Sequence, residues 1–417
     1  MDTIQRDRVM AWIDDHFDEQ VAFLQALVRQ PSDNPPGDCA AHAELAGDLL
    51  DAMGFNVERY QVPAEFARRH GMVSATNLIV RQPFGADGPT VALNAHGDVV
   101  PPGDGWTHDP YGAEVVDGWM FGRGAAVSKS DYATYAFALR ALMAAGLDLS
   151  GTAELHFTYD EETGGMTGPG WLLEQGLTQP DFVISAALSY SVIVAHNGCL
   201  HLEVTVRGRS AHAGRPETGH DALEAATAIL NALYAHRAAL AVRKSETPGI
   251  DHPTLVVGLI SGGINTNVVP DQVRFRIDRR IVPEEIAQEV ESETRDVIEA
   301  AAAGLDGISV DIDRILLARP FIPRKGSDRL NEILCRNASA VMGEPVTVAG
   351  VPLYTDARLY SEAGIPTAMY GAGPRSVLEA NGHRADERLE LDDLRKATKV
   401  VALAVAELLG AGKALSD

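Results

Sequence analysis

The sequence has few cysteines and no long apolar run. Its three cysteines, Cys39, Cys199 and Cys335, are far apart and lack the close spacing of a structural metal site. An odd number of isolated cysteines is typical of a reducing compartment, so we expect a cytoplasmic location. No apolar run approaches the roughly 18 residues of a membrane-spanning helix. The N-terminus has no apolar signal core, so we expect neither a membrane anchor nor a secretion signal.

Positive charge is also scarce. The 417 residues include 35 Lys and Arg against 58 Asp and Glu, which gives a formal net charge of −23. The phosphates of nucleic acids and of anionic lipids would be repelled, so we expect neither as a partner. The content of 46% hydrophobic and 22% charged residues is ordinary for a soluble globular protein, and the length exceeds one typical core. We therefore expect two domains.

Helical and strand-like patterns alternate over the first 195 residues. Apolar residues recur at helical spacing from Val9 to Val28 and again within 128–145, while 90–94 and 153–159 resemble buried strands. This alternation predicts an α/β domain with a mainly parallel sheet and helices on both faces.

The pattern changes near residue 196. Leu200, Leu202, Val204 and Val206 alternate strictly, as in a half-exposed antiparallel strand. The β-α-β-β-α-β order that follows is that of a ferredoxin-like α+β module, and the α/β pattern returns afterwards. We predict one domain of residues 1–195 and 317–417, with a second domain of residues 196–316 inserted in it.

Two strand ends carry candidate chemistry. The strand at 90–94 leads to His96 and Asp98, so a carboxylate lies close enough to fix the tautomer of a metal-bound imidazole. The next buried strand ends in Asp160, Glu161 and Glu162, followed by two glycines. Three adjacent carboxylates repel one another, so a cation or protons should accompany them. Ligands bind at this edge of α/β sheets.

These segments resemble the M20 family of metal-dependent peptidases and deacylases, which includes acetylornithine deacetylase and succinyl-diaminopimelate desuccinylase. The matching segments follow the family's order along nearly the whole chain: His96–Pro101, Gly122–Lys129, Asp160–Gly164, Arg207–Pro216, Asp278–Arg280 and Glu379–Arg388. The resemblance implies a hydrolase that cleaves the C–N bond of a small, carboxylate-bearing substrate. It also implies that 196–316 is a lid and dimerisation domain, and that the protein is a homodimer or a higher homo-oligomer.

The resemblance further implies a role for each matching residue. His96, Glu162 and His383 would bind a divalent metal, either Mn²⁺ or Zn²⁺. Glu161 would be the general base that deprotonates a water molecule. Asp98 would support His96 from behind.

Two positions depart from the family pattern. Val127 replaces the Asp that bridges two metal ions, and the position of a further acidic ligand holds Ala187 or a neighbour of it. We therefore predict one metal ion per chain. Asp131 lies four residues after Val127, so on a helix it would share that face and could supply a displaced carboxylate. An ordinary acid in the first helical turn is the favoured interpretation of Asp131.

The remaining matches concern substrate. His212 corresponds to a histidine that reaches a neighbouring subunit's active site and polarises the scissile carbonyl. Asn267 and Arg280 would grip the substrate carboxylate, for which a guanidinium is well suited. Gly371 and Gly373 belong to a turn whose backbone N–H groups would face the substrate.

Two alternatives stay open at this point. Loss of a dinuclear site would also suit hydrolytic deamination of an aromatic or other unusual amine, which would release ammonia. A non-catalytic binding or regulatory relative with a decayed metal site is the third interpretation. The joint presence of His96, Glu161, Glu162 and His383 argues against decay, which would remove such residues indiscriminately.

Overall fold

The computed structural model describes residues 1–410. Its helices are α1 (Thr3–Asp15), α2 (Phe17–Arg29), α3 (Ala40–Ala52), α4 (Ala64–Arg69), α5 (Lys129–Ala145), α6 (Pro169–Glu174), α7 (Ala222–Leu240), α8 (Ala287–Ala302), α9 (Ser327–Met342), α10 (Ala357–Glu362) and α11 (Leu391–Gly410). Within residues 1–410, no helix combines the length and apolar character needed to cross a bilayer.

The strands of the same residues form three sheets. They are β1 (Val57–Gln61), β2 (Thr76–Gly85), β3 (Thr90–His96), β4 (Glu114–Val116), β5 (Trp119–Phe121), β6 (Gly151–Thr158), β7 (Phe182–Ser185), β8 (Val192–His196), β9 (Gly198–Arg207), β10 (Thr254–Gly262), β11 (Gln272–Ile281), β12 (Ser309–Ala318), β13 (Val348–Val351), β14 (Thr367–Met369) and β15 (Arg388–Glu390).

The chain divides into two compact units. The first holds residues 1–194, 323–349 and the chain from Thr355 onward, and the second holds 195–322 together with 350–354. The second unit thus includes residues 317–322 and 350–354, which we predict from the sequence to belong to the first domain. Segment 350–354 contacts the rest of the second unit through the N–H of Gly350, which donates to the carbonyl oxygen of Pro248 at 2.6 Å.

The large sheet has the order β1-β2-β6-β3-β7-β14-β8-β13. Its central strands β6, β3, β7 and β14 run parallel, while β1 and β2 are antiparallel additions at one edge. The parallel centre confirms the predicted α/β class, and it brings the carboxyl ends of four strands to one edge of the sheet.

Helices cover both faces of this sheet, as predicted. Successive side chains of β3 point to opposite faces. Val91 and Leu93 join the main core, to which α5 and α11 contribute, and both helices contact β3. Ala92, between them, joins a smaller cluster with Val183 and Tyr360 of α10. Burial on both faces explains the unbroken apolar run of β3.

The second unit is a four-stranded antiparallel sheet of order β10-β11-β9-β12. This is the strand order of a ferredoxin-like module, and it confirms the predicted α+β fold. Leu202 and Val204 of β9 are fully buried in a core to which α7 and α8 contribute. The intervening residues of β9, among them Cys199 and His201, point to the other face of the sheet.

We predict that Phe275→Ala lowers the free energy of unfolding by about 3 kcal/mol, because a fully enclosed ring is removed from the core of the second unit. Phe275 is 1% exposed. The matched control is Val256→Ala on the neighbouring strand, which is 51% exposed and should change stability by less than about 0.5 kcal/mol. Urea unfolding followed by circular dichroism measures both, and equal effects would contradict this packing.

Candidate metal centre

His96 is the last residue of β3 and is buried. Its Nδ1 lies 3.0 Å from the backbone carbonyl oxygen of Asp98. A carbonyl oxygen only accepts, so Nδ1 carries the ring proton. In the neutral ring this leaves a lone pair on Nε2. The strand end therefore presents His96 in the tautomer that a metal ligand requires.

The carboxylate of Asp98 is fully buried and reaches four groups. Its Oδ1 lies 3.4 Å from Nδ1 of His96 and accepts the N–H of Glu161 at 3.3 Å. Its Oδ2 accepts the N–H of Glu162 at 3.2 Å and the side-chain amide of Asn34 at 2.9 Å. Asp98 thus holds the acidic loop as well as supporting the imidazole.

Side chains from three separate chain segments, one of them that of His96, meet at the end of β3. Donor atoms of His96, Glu161 and Glu162 all lie within 4.8 Å of one another. Nε2 of His96 is 3.9 Å from Oε2 of Glu161, and Nε2 of His383 is 3.4 Å from Oε1 of Glu162. Nitrogen and oxygen donors converging in this way fit a divalent cation.

The electrostatics of the cluster favour a cation. Burial raises the pKa of the Glu161 carboxyl well above its usual range; His96 opposes the rise and Glu162 adds to it. Burial alone would lower the pKa of His96, but the negative charges of Glu161, Asp98 and Glu162 raise it well above its usual value. A divalent ion among these groups would replace the protons for which they compete.

The first of the three consecutive acids, Asp160, has a different task. Its Oδ2 accepts the N–H of Thr167, and its Oδ1 accepts the N–H of Gly168 at 2.8 Å. These bonds close the loop after β6. Because the Asp160 carboxylate is directed into its own loop, Glu161 and Glu162 are the acids that lie beside His96.

A buried ion pair ties the His383 segment to the first motif. Nη1 of Arg123 lies 2.5 Å from Oε2 of Glu387, and both side chains are 1% exposed. The other oxygen, Oε1, accepts the backbone N–H groups of Gly124, Ala126 and Val127, each at 3.1 Å. This pair fixes the loop that carries the substituted bridging position.

Neither substituted position supplies a ligand atom from its side chain. Cγ2 of Val127 lies 3.8 Å from the point where a Cβ on Gly382 would stand, so an apolar side chain adjoins the His383 loop. The carbonyl oxygen of Ala187 accepts the N–H of Gly373 at 3.0 Å. The Gly373 carbonyl oxygen in turn accepts the N–H of Ser189 at 2.8 Å. The N–H of Gly373 is thus already used within the turn, and contact of this turn with substrate stays a prediction.

Asp131 does not take the place of Val127. Helix α5 begins at Lys129, after Val127. The two residues therefore do not share a helical face, and the prediction that they would is wrong. Oδ1 of Asp131 accepts the N–H of Ala372 at 2.8 Å, and burial raises the pKa of this carboxyl to about 8. A Cβ on Gly371 would overlap the same carboxylate. Asp131 therefore packs against the glycine turn.

In the second unit, His212 and Asn267 are neighbours. The N–H of Gly214 donates to Nδ1 of His212 at 3.0 Å, so in the neutral ring the proton is on Nε2. The His212 side chain is exposed, which leaves Nε2–H as an outward hydrogen-bond donor. The N–H of Ala213 donates to the carbonyl oxygen of Asn267 at 3.0 Å and ties the two loops together.

Arg280 lies at the other end of the same sheet. Its Nε and Nη2 donate to the carboxylate of Asp278 at 3.0 and 3.1 Å, and its guanidinium lies 5.5 Å from the Tyr354 ring centroid. Nearly the whole length of β11, roughly 26 Å of extended chain, separates Arg280 from the Asn267 loop. One chain therefore does not bring Asn267 and Arg280 to a single carboxylate, and their joint grip on a substrate stays a prediction.

Two further side chains lie near the centre, and the sequence offers no sign of the first. Asn34 donates to Asp98, and its position on a loop far from the motifs gave no signal. Asp356 is buried, and burial raises the pKa of its carboxyl to about 7, with the charge of Asp98 adding to the rise and His96 opposing it. A Cβ on Gly165 would overlap the Asp356 carboxylate, which places Asp356 against the loop of Glu161.

Known proteins resemble the chain over nearly its full length. A succinyl-diaminopimelate desuccinylase from Acidiphilium cryptum (strain JF-5) is 28% identical over 391 residues, covering 92% of this chain and 96% of that protein. Human carnosine dipeptidase 1 has a TM-score of 0.78 at 18% identity, covering 97% and 99% of the two chains. The YXEP protein of Bacillus subtilis, a dinuclear metal binding peptidase, has a TM-score of 0.67 at 17% identity, covering 95% and 99%.

The family model described as Peptidase family M20/M25/M40 matches residues 92–407, which is most of the chain. The predicted family and reaction class are thereby confirmed, and these similarities favour neither the deaminase nor the non-catalytic alternative. The chain therefore belongs to peptidase family M20/M25/M40 and is a metal-dependent hydrolase of amide-type C–N bonds.

Proposed function

We propose that the chain hydrolyses the amide bond of a small N-acyl substrate that carries a carboxylate. A single divalent cation, Mn²⁺ or Zn²⁺, would be held by His96, Glu162 and His383. The convergence of His96, Glu161 and Glu162 within 4.8 Å supports this proposal most directly. Relatives named succinyl-diaminopimelate desuccinylase support an N-acyl substrate such as an N-succinyl amino acid.

The chain's own residues would move the proton. When bound, the cation would supply Lewis acidity and lower the pKa of water. Glu161 would accept the proton of the attacking water and later pass it to the leaving nitrogen. Its backbone N–H is held by Asp98, which supports a fixed position for this carboxylate beside His96.

We further propose one ion per chain at this centre. Val127 and Ala187 bring no donor side chain to it, and the Asp131 carboxylate is directed to the N–H of Ala372. Among residues 1–410, the group of potential ligands at this centre comprises His96, Glu161 and Glu162. With Glu161 as base, the remaining donors and His383 make a three-ligand set with open positions for water and substrate.

The substrate site would be completed by a second copy of the chain. His212 presents Nε2–H outward, a suitable donor for a developing oxyanion. His212 lies beside Asn267, whereas Arg280 is at the far end of β11. A substrate that meets both ends of this sheet would therefore contact two chains, which supports a homodimer.

Glu161→Gln should lower kcat/KM for N-succinyl amino acids about a thousandfold, because an amide cannot accept the proton. Mn²⁺ content should not change, since Glu161 is not proposed as a ligand. The matched control, Glu162→Gln, should instead lose Mn²⁺. Full activity in Glu161→Gln would exclude its role as the base.

Elemental analysis after saturation with Mn²⁺ and removal of free metal should give about one ion per chain. Mn²⁺ is suitable for this count because it favours carboxylate over thiolate ligands. The double variant Val127→Asp/Ala187→Glu should raise the count to about two, whereas Val127→Asn/Ala187→Gln should not. Two Mn²⁺ ions in the unaltered chain would contradict the single-ion centre.

Mixing Glu161→Gln chains with His212→Ala chains tests the contribution of the second copy. If His212 acts on a neighbouring chain, an equal mixture that has exchanged subunits should regain about a quarter of the unaltered activity, because half of the random dimers have one competent site. Each variant alone should stay inactive. A mixture as inactive as its components, with subunit exchange verified, would place His212 and Glu161 in the same chain's site.

A further inference from the structure

Four side chains with ionisable groups, those of Cys199, His201, Asp278 and Arg280, share one face of the sheet in the second unit. Strands β9 and β11 are antiparallel, with Asp278 directly opposite His201 and Arg280 opposite Cys199. Residues two apart on a strand point to the same side. All four therefore lie on the face opposite Leu200 and Leu202, which are in the core beneath helices α7 and α8.

Three of these side chains direct different donor atoms to one place. Sγ of Cys199 lies 3.0 Å from Nε2 of His201, and the same nitrogen lies 3.2 Å from Oδ2 of Asp278. Donor atoms of the three residues all lie within 4.8 Å of one another. In a nucleophilic triad the two ring nitrogens of the histidine serve different neighbours. Here both neighbours approach Nε2, which is the geometry of a ligand set.

We propose that Cys199, His201 and Asp278 form a second cation site, for a borderline-soft divalent ion of the Zn²⁺ type. Thiolate, imidazole and carboxylate are the donors that Zn²⁺ takes in proteins, and the fourth position would hold water. The thiol of Cys199 would release its proton to solvent on binding, because the thiolate is the ligand. The ligands would then carry two negative charges, matching the divalent ion.

The surroundings of the three residues suit this role. Arg280 donates to both oxygens of Asp278 and so fixes the carboxylate, as groups around metal ligands commonly do. Cys199 is buried, while the side chains of His201 and Asp278 are 31% and 33% exposed and leave a way in for the ion. The site lies wholly on paired strands, which hold ligands more accurately than loops do.

Sulfur distinguishes this site from the His96 centre, whose proposed ligands are nitrogen and oxygen. We would titrate the metal-free, full-length protein with Co²⁺ and follow the near-ultraviolet charge-transfer absorption between thiolate and Co²⁺. We expect this band to saturate at one Co²⁺ per chain and Zn²⁺ to abolish it. Co²⁺ bound only at the His96 centre would give no such band, so failure here leaves the hydrolase proposal untouched.

Cys199→Ser should remove the band, and the matched control Cys335→Ser should retain it. Because Cys199 is buried and its variant is at risk of misfolding, His201→Gln gives a second test on a partly exposed residue. It should weaken Co²⁺ binding at the thiolate site by at least about tenfold. No band at saturating Co²⁺, or a band that survives Cys199→Ser, would overturn the proposal.

Discussion

The arrangement of the candidate metal centre depends on the buried carboxylate of Asp98. It lies behind the imidazole of His96 and accepts backbone N–H groups from Glu161 and Glu162. A charged group without water must find such partners, because an unpaired buried carboxylate is strongly disfavoured. The contacts of Asp98 thereby hold the C-terminal end of β3 and the loop after β6 in one arrangement. As a result, Glu161 and Glu162 lie beside Nε2 of His96.

The Arg123–Glu387 pair performs the same task for the distant part of the chain. Glu387 follows His383 closely, and its two oxygens are used by the guanidinium and by three backbone N–H groups around Val127. Loss of one partner would leave a buried charge, so such a pair strongly specifies a single arrangement even where its net contribution to stability is small. The two buried carboxylates of Asp98 and Glu387 thus bring together candidate ligands that are far apart in sequence.

The second unit shows how strand register creates sites without a sequence motif. Pairing of β9 with β11 sets Asp278 opposite His201 and Arg280 opposite Cys199. A shift by one residue would send these side chains into the helix-covered core. The same strand separates Arg280 from the His212 and Asn267 loops. Register therefore governs the proposed cation site, while the length of β11 sets the distance between Arg280 and the Asn267 loop.

The sequence by itself determined the fold class, the ferredoxin-like insertion and the family, because periodicity and ordered motifs are local properties of the chain. It also located the acids beside His96, since parallel strands bring their carboxyl ends together. Only the tertiary structure decided the roles of Asn34 and Asp356, the direction of the Asp131 carboxylate and the distance between Asn267 and Arg280. Cys199 lacks the sequence spacing of a metal ligand, because Asp278, its partner in the proposed cation site, lies on another strand. Contacts between distant segments depend on register and burial, which sequence spacing does not encode.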